Sequence, residues 1–342
     1  MQEDDQFFKG IEPLSCLPFG VSRYYARLAE SEDPDTDPIA AQYIPRRHEL
    51  SSRAYESSDP IGDRRSLVTE RCIHRYRDRA LLLVSDRCAT YCRHCFRRHF
   101  TGHGGGRLTE PQLEAACDYL ARTPSIKELL LSGGDPLMLS DGELESVIAR
   151  LKRIDPAYIV RICTRMPVML PSRVTPELAG MLGGFQSVWA VIHANHPREL
   201  TADFGTAVRR LTTAGVPVLN QAVLLRGIND DADTLESLFR GLVRCGVKPY
   251  YLFQCDLATG TSHFRVDLTR GIDLMRELRG RLSGIALPTY AVDLPDGGGK
   301  VPVEQSLLRA DADAYVLRGA DGAEYRYPRE GGQSKPPASA YR

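Results

Sequence analysis

The sequence predicts an α/β fold, a parallel sheet wrapped by crossover helices into a partial (β/α)6-type barrel of the TIM kind. Short apolar runs suited to strands buried on both faces recur at Ala80–Val84, Glu128–Leu131, Ile159–Cys163, Val188–Ile192, Val216–Val223 and Pro249–Phe253. Helical stretches separate them, at Thr109–Arg122, Gly142–Arg153, Thr175–Leu182, Glu199–Ala214 and Ala232–Cys245. Such alternation, at roughly 30-residue spacing, implies parallel strands joined by crossovers. Polar residues also follow nearly every apolar run. An open doubly wound sheet would place its site at the strand C-termini too, but so many contributing strands favour a barrel.

The elements follow in order. Residues 1–70 are polar and rich in Pro and Asp, with weak helical periodicity around Gly20 to Glu32, and read as a partly helical N-terminal extension. The barrel is expected over residues 71–300. Its first crossover helix opens on Thr109, three places before Gln112, the spacing of a capping box. A last strand is expected near Thr289–Val292. Residues 301–342 then read as a hairpin, Ala314–Leu317 with Glu324–Tyr327, and a short tail expected to be disordered from Pro328.

Composition bounds the function. The 342 residues carry 44 Lys+Arg and 44 Asp+Glu, a formal net charge of zero. That balance argues against nucleic-acid binding by bulk positive charge and against a polybasic membrane surface. Hydrophobic content of 42% and charged content of 26% are ordinary for a globular chain. No apolar run reaches the ~18 residues of a membrane span. The acidic start, Met1 to Asp5, has no apolar stretch behind it and does not read as a signal peptide. A cytoplasmic location is therefore expected. The nine cysteines, an odd number, do not suggest a disulfide framework. Six are scattered and read as small packing residues.

The other three stand together. Cys88, Cys92 and Cys95 form a C-x3-C-x2-C motif directly after the first strand. Three thiolates on one loop suit an iron–sulfur centre; a zinc site would need a fourth ligand, which His94 or His99 could supply. Placed after the first strand of a β/α barrel, the motif resembles the radical S-adenosylmethionine (SAM) superfamily. That resemblance implies a [4Fe-4S] cluster on Cys88, Cys92 and Cys95 with one iron left for SAM to chelate. Ser132-Gly133-Gly134-Asp135-Pro136, after the second strand, looks like the family's SAM-binding segment. Glycines there let backbone approach a ligand closely.

Near the other end, Gly297-Gly298-Gly299-Lys300 invites a phosphate-loop reading. It fails, because Leu294 stands where the pattern needs Gly and Val301 where it needs Ser or Thr. From about Cys72 to Tyr327 the chain is similar to the lysine 2,3-aminomutase family. The similarity is carried by His74–Arg79, Cys95–Arg98, Thr164–Pro167, His193–Pro197, Asn220-Gln221, Pro249–Leu257 and the segment around Lys300. It implies pyridoxal 5'-phosphate (PLP) held on Lys300, with Arg75, Tyr76 and Arg79 toward its phosphate, where Arg geometry is favoured. Arg97 matches the residue for the substrate α-carboxylate, and the adjacent Arg98 reads as solvated. His94 and Gln221 match SAM-contacting positions. His193, Asn195 and His196 read as lining.

Asp256 and Asp293 both follow predicted strands and should share the barrel mouth. Two carboxylates in a partly buried site resist joint ionisation unless a cation joins them. They match the family's pair for the ε-ammonium of lysine. The resemblance thus implies an isomerase that converts L-lysine to L-β-lysine through a PLP aldimine and a 5'-deoxyadenosyl radical, with a flavodoxin- or ferredoxin-type reductant. A lysine presented on elongation factor P, free arginine, and a non-catalytic iron–sulfur sensor are the alternatives. Longer relatives carry an intersubunit zinc site; here Asp231 occupies one ligand region and no cysteine follows Cys255. That zinc site is expected to be absent, which leaves homo-oligomerisation open.

Overall fold

The computed structural model describes residues 7–8, 17–303, 307–319 and 322–330. Cys16 and residues 331–342, most of the expected tail, lie outside them. The main sheet has ten strands: β1 (Leu67–Thr69), β2 (Cys72–Tyr76), β3 (Arg79–Ser85), β4 (Glu128–Gly133), β5 (Ile159–Thr164), β6 (Val188–Ile192), β7 (Val218–Leu224), β8 (Lys248–Gln254), β9 (Thr289–Leu294) and β10 (Gly299–Pro302). Strands β3 to β9 pair in parallel and in sequence order, while β1, β2 and β10 are antiparallel additions at the two edges. The order is linear from β1 to β10, so the sheet is a partial barrel.

The crossover helices are α1 (Glu110–Ala121), α2 (Asp141–Ile154), α3 (Pro176–Gly183), α4 (Ala202–Thr213), α5 (Ala232–Arg244) and α6 (Leu268–Arg281). Local chemistry starts them where expected. Thr109 closes a capping box with Gln112, and Ser140 with Glu143. The helix expected over Glu199–Ala214 starts later than that: Glu199 ends a separate 3-10 turn, Pro197–Glu199, and α4 begins after a Thr201 cap. Helix α6 escaped the sequence reading because Gly271 and Gly280 dilute its apolar stripe. The packing shows why one of these glycines is there: a Cβ on Gly271 would collide with the Tyr290 hydroxyl. That hydroxyl donates to Gln254 at 2.6 Å, and Gln254 donates onward to the Val266 carbonyl at 2.7 Å.

Burial alternates along the strands. In β5, Val160, Ile162 and Thr164 are sealed while Arg161 and Cys163 are partly exposed. In β7, Val218, Asn220, Ala222 and Leu224 are sealed while Leu219, Gln221 and Val223 are not. The sealed positions form the helix-facing core, and the others line a barrel interior open to solvent at its mouth. A separate three-stranded sheet follows, β11 (Leu307–Ala310), β12 (Ala314–Arg318) and β13 (Glu324–Pro328), containing the expected hairpin. Among the described residues of the extension, α-helix is confined to the single turn Arg23–Ala26, and 3-10 turns supply the other helical pieces.

Replacing Gly271 by Ala should therefore destabilise the fold despite alanine's higher helix propensity. Overpacking of this kind costs about 1–3 kcal/mol, or a fall in melting temperature of roughly 2–8 °C, readable by calorimetry.

Candidate active site

The chain leaves β3 at Ser85 and turns at once into the cysteine loop. The second strand's Gly133-Gly134 fits under that turn: Gly134 N donates to Ser85 O at 2.6 Å, and Asp135 N donates to Arg87 O at 2.8 Å. A Cβ on Gly134 would meet the Arg87 backbone C and N at 2.7 Å, so this position admits only glycine. Gly133 adopts φ +116°, another conformation glycine alone takes readily. The neighbours that demand these glycines are thus the backbone of the cysteine loop. Asp135 is fully engaged: one oxygen accepts from Leu137 N and Thr164 Oγ1, the other from Arg165 N at 2.7 Å. It ties the end of β4 to the end of β5.

The N-terminal extension holds the loop from outside. Glu49, buried, takes a bidentate pair from Arg93 (2.8 and 2.6 Å) and a further bond from Arg98. Arg98, expected to be solvated, is completely buried because this carboxylate requires it. Burial raises the Cys88 and Cys95 thiols, and the neighbouring cysteine sulfurs add to the effect. Iron binding would have to displace those protons. Among the described residues no group of three His, Cys, Asp or Glu side chains is already arranged to hold a metal ion. The donor set still fits a cluster: three free thiols share one loop, and Arg165 Nη1 stands 2.7 Å from Cys92 Sγ.

Behind the loop lies a buried polar network. Arg165 also donates to Glu199 Oε1 (2.8 Å), to Gln42 Oε1 and to the His193 carbonyl (3.1 Å). His193 Nε2 meets Asn195 Oδ1 at 2.9 Å. Burial and the Arg165 charge lower His94 well below the usual imidazole range and push His193 down to about 3, so both are neutral. His94 Nδ1 is buried without a partner, an orphaned polar atom that a bound ligand would satisfy. Gln221 sits on the interior face of β7, beside Tyr251 of β8. Asp231 caps α5, accepting from Thr234 N at 2.8 Å.

The Gly-rich segment proves to be the turn of a β-hairpin. Lys300 lies on β10, directly opposite Asp293 of β9. Its Nζ is 3.9 Å from Asp293 Oδ2 and lies over the Phe253 and Tyr251 rings at 4.2 and 4.9 Å. Burial lowers the Lys300 ammonium from its ordinary value, although Asp293 and Asp256 pull the other way. A buried lysine with a depressed pKa is the kind that forms Schiff bases. Tyr76 Oη accepts from Lys300 N at 3.0 Å, and Arg79 lies over the Tyr76 ring at 4.1 Å. These residues fit a PLP site at the hairpin.

Asp256 completes the cluster. Burial and the nearby Asp293 charge push its carboxyl up to about 8, while Lys300, Arg75 and Arg97 act to lower it. Arg75 spans Asp293 (3.2 Å) and the Ile61 carbonyl (2.5 Å). Arg97 donates through Nε to Asp63 at 2.8 Å and through Nη1 to Ser132 at 3.4 Å. The mouth thus gathers Arg97, Asp256, Asp293, Arg75, Tyr76 and Lys300. Asp63 and Glu49 were missed from sequence because each lies in the extension, with no motif around it. The Arg165 contact to Cys92 gave no signal either: 73 residues separate the two.

Comparison with known proteins agrees with this geometry. Residues 82–238 match the model of the radical SAM superfamily, and residues 275–341 match that of lysine-2,3-aminomutase. An L-lysine 2,3-aminomutase from Clostridium subterminale is 42% identical over 92% of this chain and 76% of its own length. A putative L-lysine 2,3-aminomutase from Treponema pallidum is also 42% identical, over 95% of this chain and 94% of its own. A glutamate 2,3-aminomutase from Clostridioides difficile is 39% identical over 89% and 72%. On these grounds the chain belongs to the lysine 2,3-aminomutase family of radical SAM enzymes.

Proposed function

We propose that the protein is an L-lysine 2,3-aminomutase, moving the α-amino group of lysine to C3. The observation that carries this reading is the paired carboxylate, Asp256 with Asp293, gathered with Arg97 and Lys300 at one mouth. A substrate with a carboxylate at one end and an ammonium at the other satisfies both groups. A substrate ending in a second carboxylate, such as glutamate, would add a third like charge beside two.

When bound, the cluster and SAM supply the 5'-deoxyadenosyl radical that takes hydrogen from C3, and PLP carries the migrating nitrogen. The chain's own contribution is holding and orientation. Cys88, Cys92 and Cys95 would hold iron, with Arg165 stabilising negative charge on Cys92. His94 and Gln221 would contact SAM, and Gly133, Gly134 and Asp135 would shape its cradle. Lys300, neutral more readily than an ordinary lysine, would hold PLP, with Arg75, Tyr76 and Arg79 around it. Asp63 grips the Nε edge of Arg97 and thereby aims the other edge of the guanidinium at a substrate carboxylate. Cytoplasmic location goes with this reading, because cluster thiols need a reducing compartment.

The test is anaerobic reconstitution with iron, sulfide, PLP, SAM and dithionite, followed by separate offers of L-lysine, L-arginine, L-glutamate and elongation factor P. β-Lysine from the free amino acid is the expected product. Turnover of another substrate with lysine inert would overturn the reading.

Asp256→Asn should abolish lysine turnover and yet raise the melting temperature of the cofactor-free protein by a few degrees. The sign follows from linkage: a carboxyl whose folded pKa is raised contributes stability below about pH 4, and that contribution is lost as pH rises toward about 8. The Asn advantage should therefore grow between pH 5 and 8. By the same logic the wild-type KM for lysine should fall as pH rises toward 8, as the ionised pair becomes available.

Asp63→Asn should raise KM for lysine about tenfold, the order expected for weakening one charge-assisted contact, with iron content unchanged. Steady-state kinetics beside iron analysis checks both halves.

A further inference from the structure

A second concave feature lies at the barrel mouth, outside the lysine site. It is a pocket of about 410 Å³ lined by Arg46, His48, Arg53, Arg226, His263 and Glu330, among others. Its residues come from the N-terminal extension and from the segments that follow β7, β8 and β13. Arg53 and Arg226 are exposed, as is the adjacent Arg47. The opposing carboxylates are held: Glu330 accepts from Arg265 at 2.6 Å, and Asp35 from Arg46 at 3.1 Å. In a chain of zero net charge, this is a local concentration of cations.

The pocket floor leads inward through packed rings. His48 and His263 stand 5.6 Å apart between centroids, His263 and Phe264 4.1 Å, and Phe264 and His94 6.1 Å. The Arg46 guanidinium covers the Phe264 ring at 4.9 Å. His94 lies in sequence between Cys92 and Cys95. Both ring nitrogens of His263 are buried without hydrogen-bond partners, so this ring is placed by packing alone. A positive surface that opens onto a ring path ending in the cysteine loop has the form of an electron entry port, since tunnelling favours short, densely packed routes.

Resting on the reaction proposed above, we infer that this pocket docks an acidic one-electron carrier protein of the flavodoxin or ferredoxin class, which reduces the cluster through Phe264 and His94. One electron leaves the carrier and enters the cluster, taking it from the 2+ to the 1+ state, with no bond made or broken. Complementary charge accelerates such encounters and makes them salt-dependent. A small anion would be served by the arginines alone and would have no use for the ring path.

The test is stopped-flow reduction of the reconstituted protein by photoreduced flavodoxin, following bleaching of the cluster absorbance, with dithionite as the parallel reductant. The wild-type flavodoxin rate should fall steeply with added salt. In the double variant Arg53→Glu, Arg226→Glu that rate should drop about tenfold and lose most of its salt dependence, with the dithionite rate unchanged. Both positions are exposed, and the charge-neutral pair Arg53→Gln, Arg226→Gln should give an intermediate rate. An unchanged flavodoxin rate in the variants would overturn the assignment. An equal fall with dithionite would mark the pocket as a support of the cysteine loop and overturn it too. A cluster that reduces as described in a protein making no β-lysine would count against the proposed reaction and leave the docking surface standing.

Discussion

The constraint on which the mouth depends is the confinement of two carboxylates, Asp256 and Asp293, in one partly buried volume. Left alone they would repel, and one would stay protonated. The architecture does not relieve this by separating them. It surrounds them with cations, Arg75 on Asp293 at 3.2 Å, Lys300 at 3.9 Å and Arg97 within electrostatic reach of Asp256. Asp256 still remains raised to about 8, so the balance is incomplete in the cofactor-free chain. A site short of positive charge at one end is a site prepared for an ammonium.

That crowd of arginines is held by the N-terminal extension, which is more than a lead-in to the barrel. It supplies Glu49 to Arg93 and Arg98, Asp63 to Arg97, Glu56 to Arg265, and the Ile61 carbonyl to Arg75. Each arginine lies in or beside the barrel and would be costly to bury unmatched. Removing one partner of a buried pair costs about 3–5 kcal/mol, far more than a surface pair is worth. The extension therefore fixes where guanidinium groups point, and through them the cysteine loop and the substrate end of the mouth.

The barrel was legible in the sequence because its signals are local. Apolar runs such as Ala80–Val84 must be strands if they are to bury both faces, and Thr109 with Gln112 marks a helix start whatever the tertiary context. The cysteine loop and Lys300 were legible because their residue types and spacing are specific to their chemistry. What stayed hidden depends on contacts distant in sequence. The Gly-rich segment carries no strand signal of its own, and only the pairing of Asp293 with Lys300 makes it a hairpin. Arg98 looked solvated because nothing near it in sequence reveals Glu49, 49 residues earlier. Helix α6 was hidden by Gly271, a residue chosen by the Tyr290 hydroxyl on another element.

The glycines after β4 show how one stretch can serve two purposes. Sequence reasoning assigned Gly133 and Gly134 to close approach by a ligand, whereas their nearest neighbours are the Ser85 and Arg87 backbone. The two readings are compatible, because a strand end pressed against the root of the cysteine loop fixes where anything bound to that loop must lie. Asp135 extends the same logic by joining β4 to Thr164 and Arg165, and Arg165 reaches Cys92. A closed circuit results, from the loop through β4 and β5 and back to the loop. Geometry at the cluster thiols is thereby tied to the ends of β4 and β5.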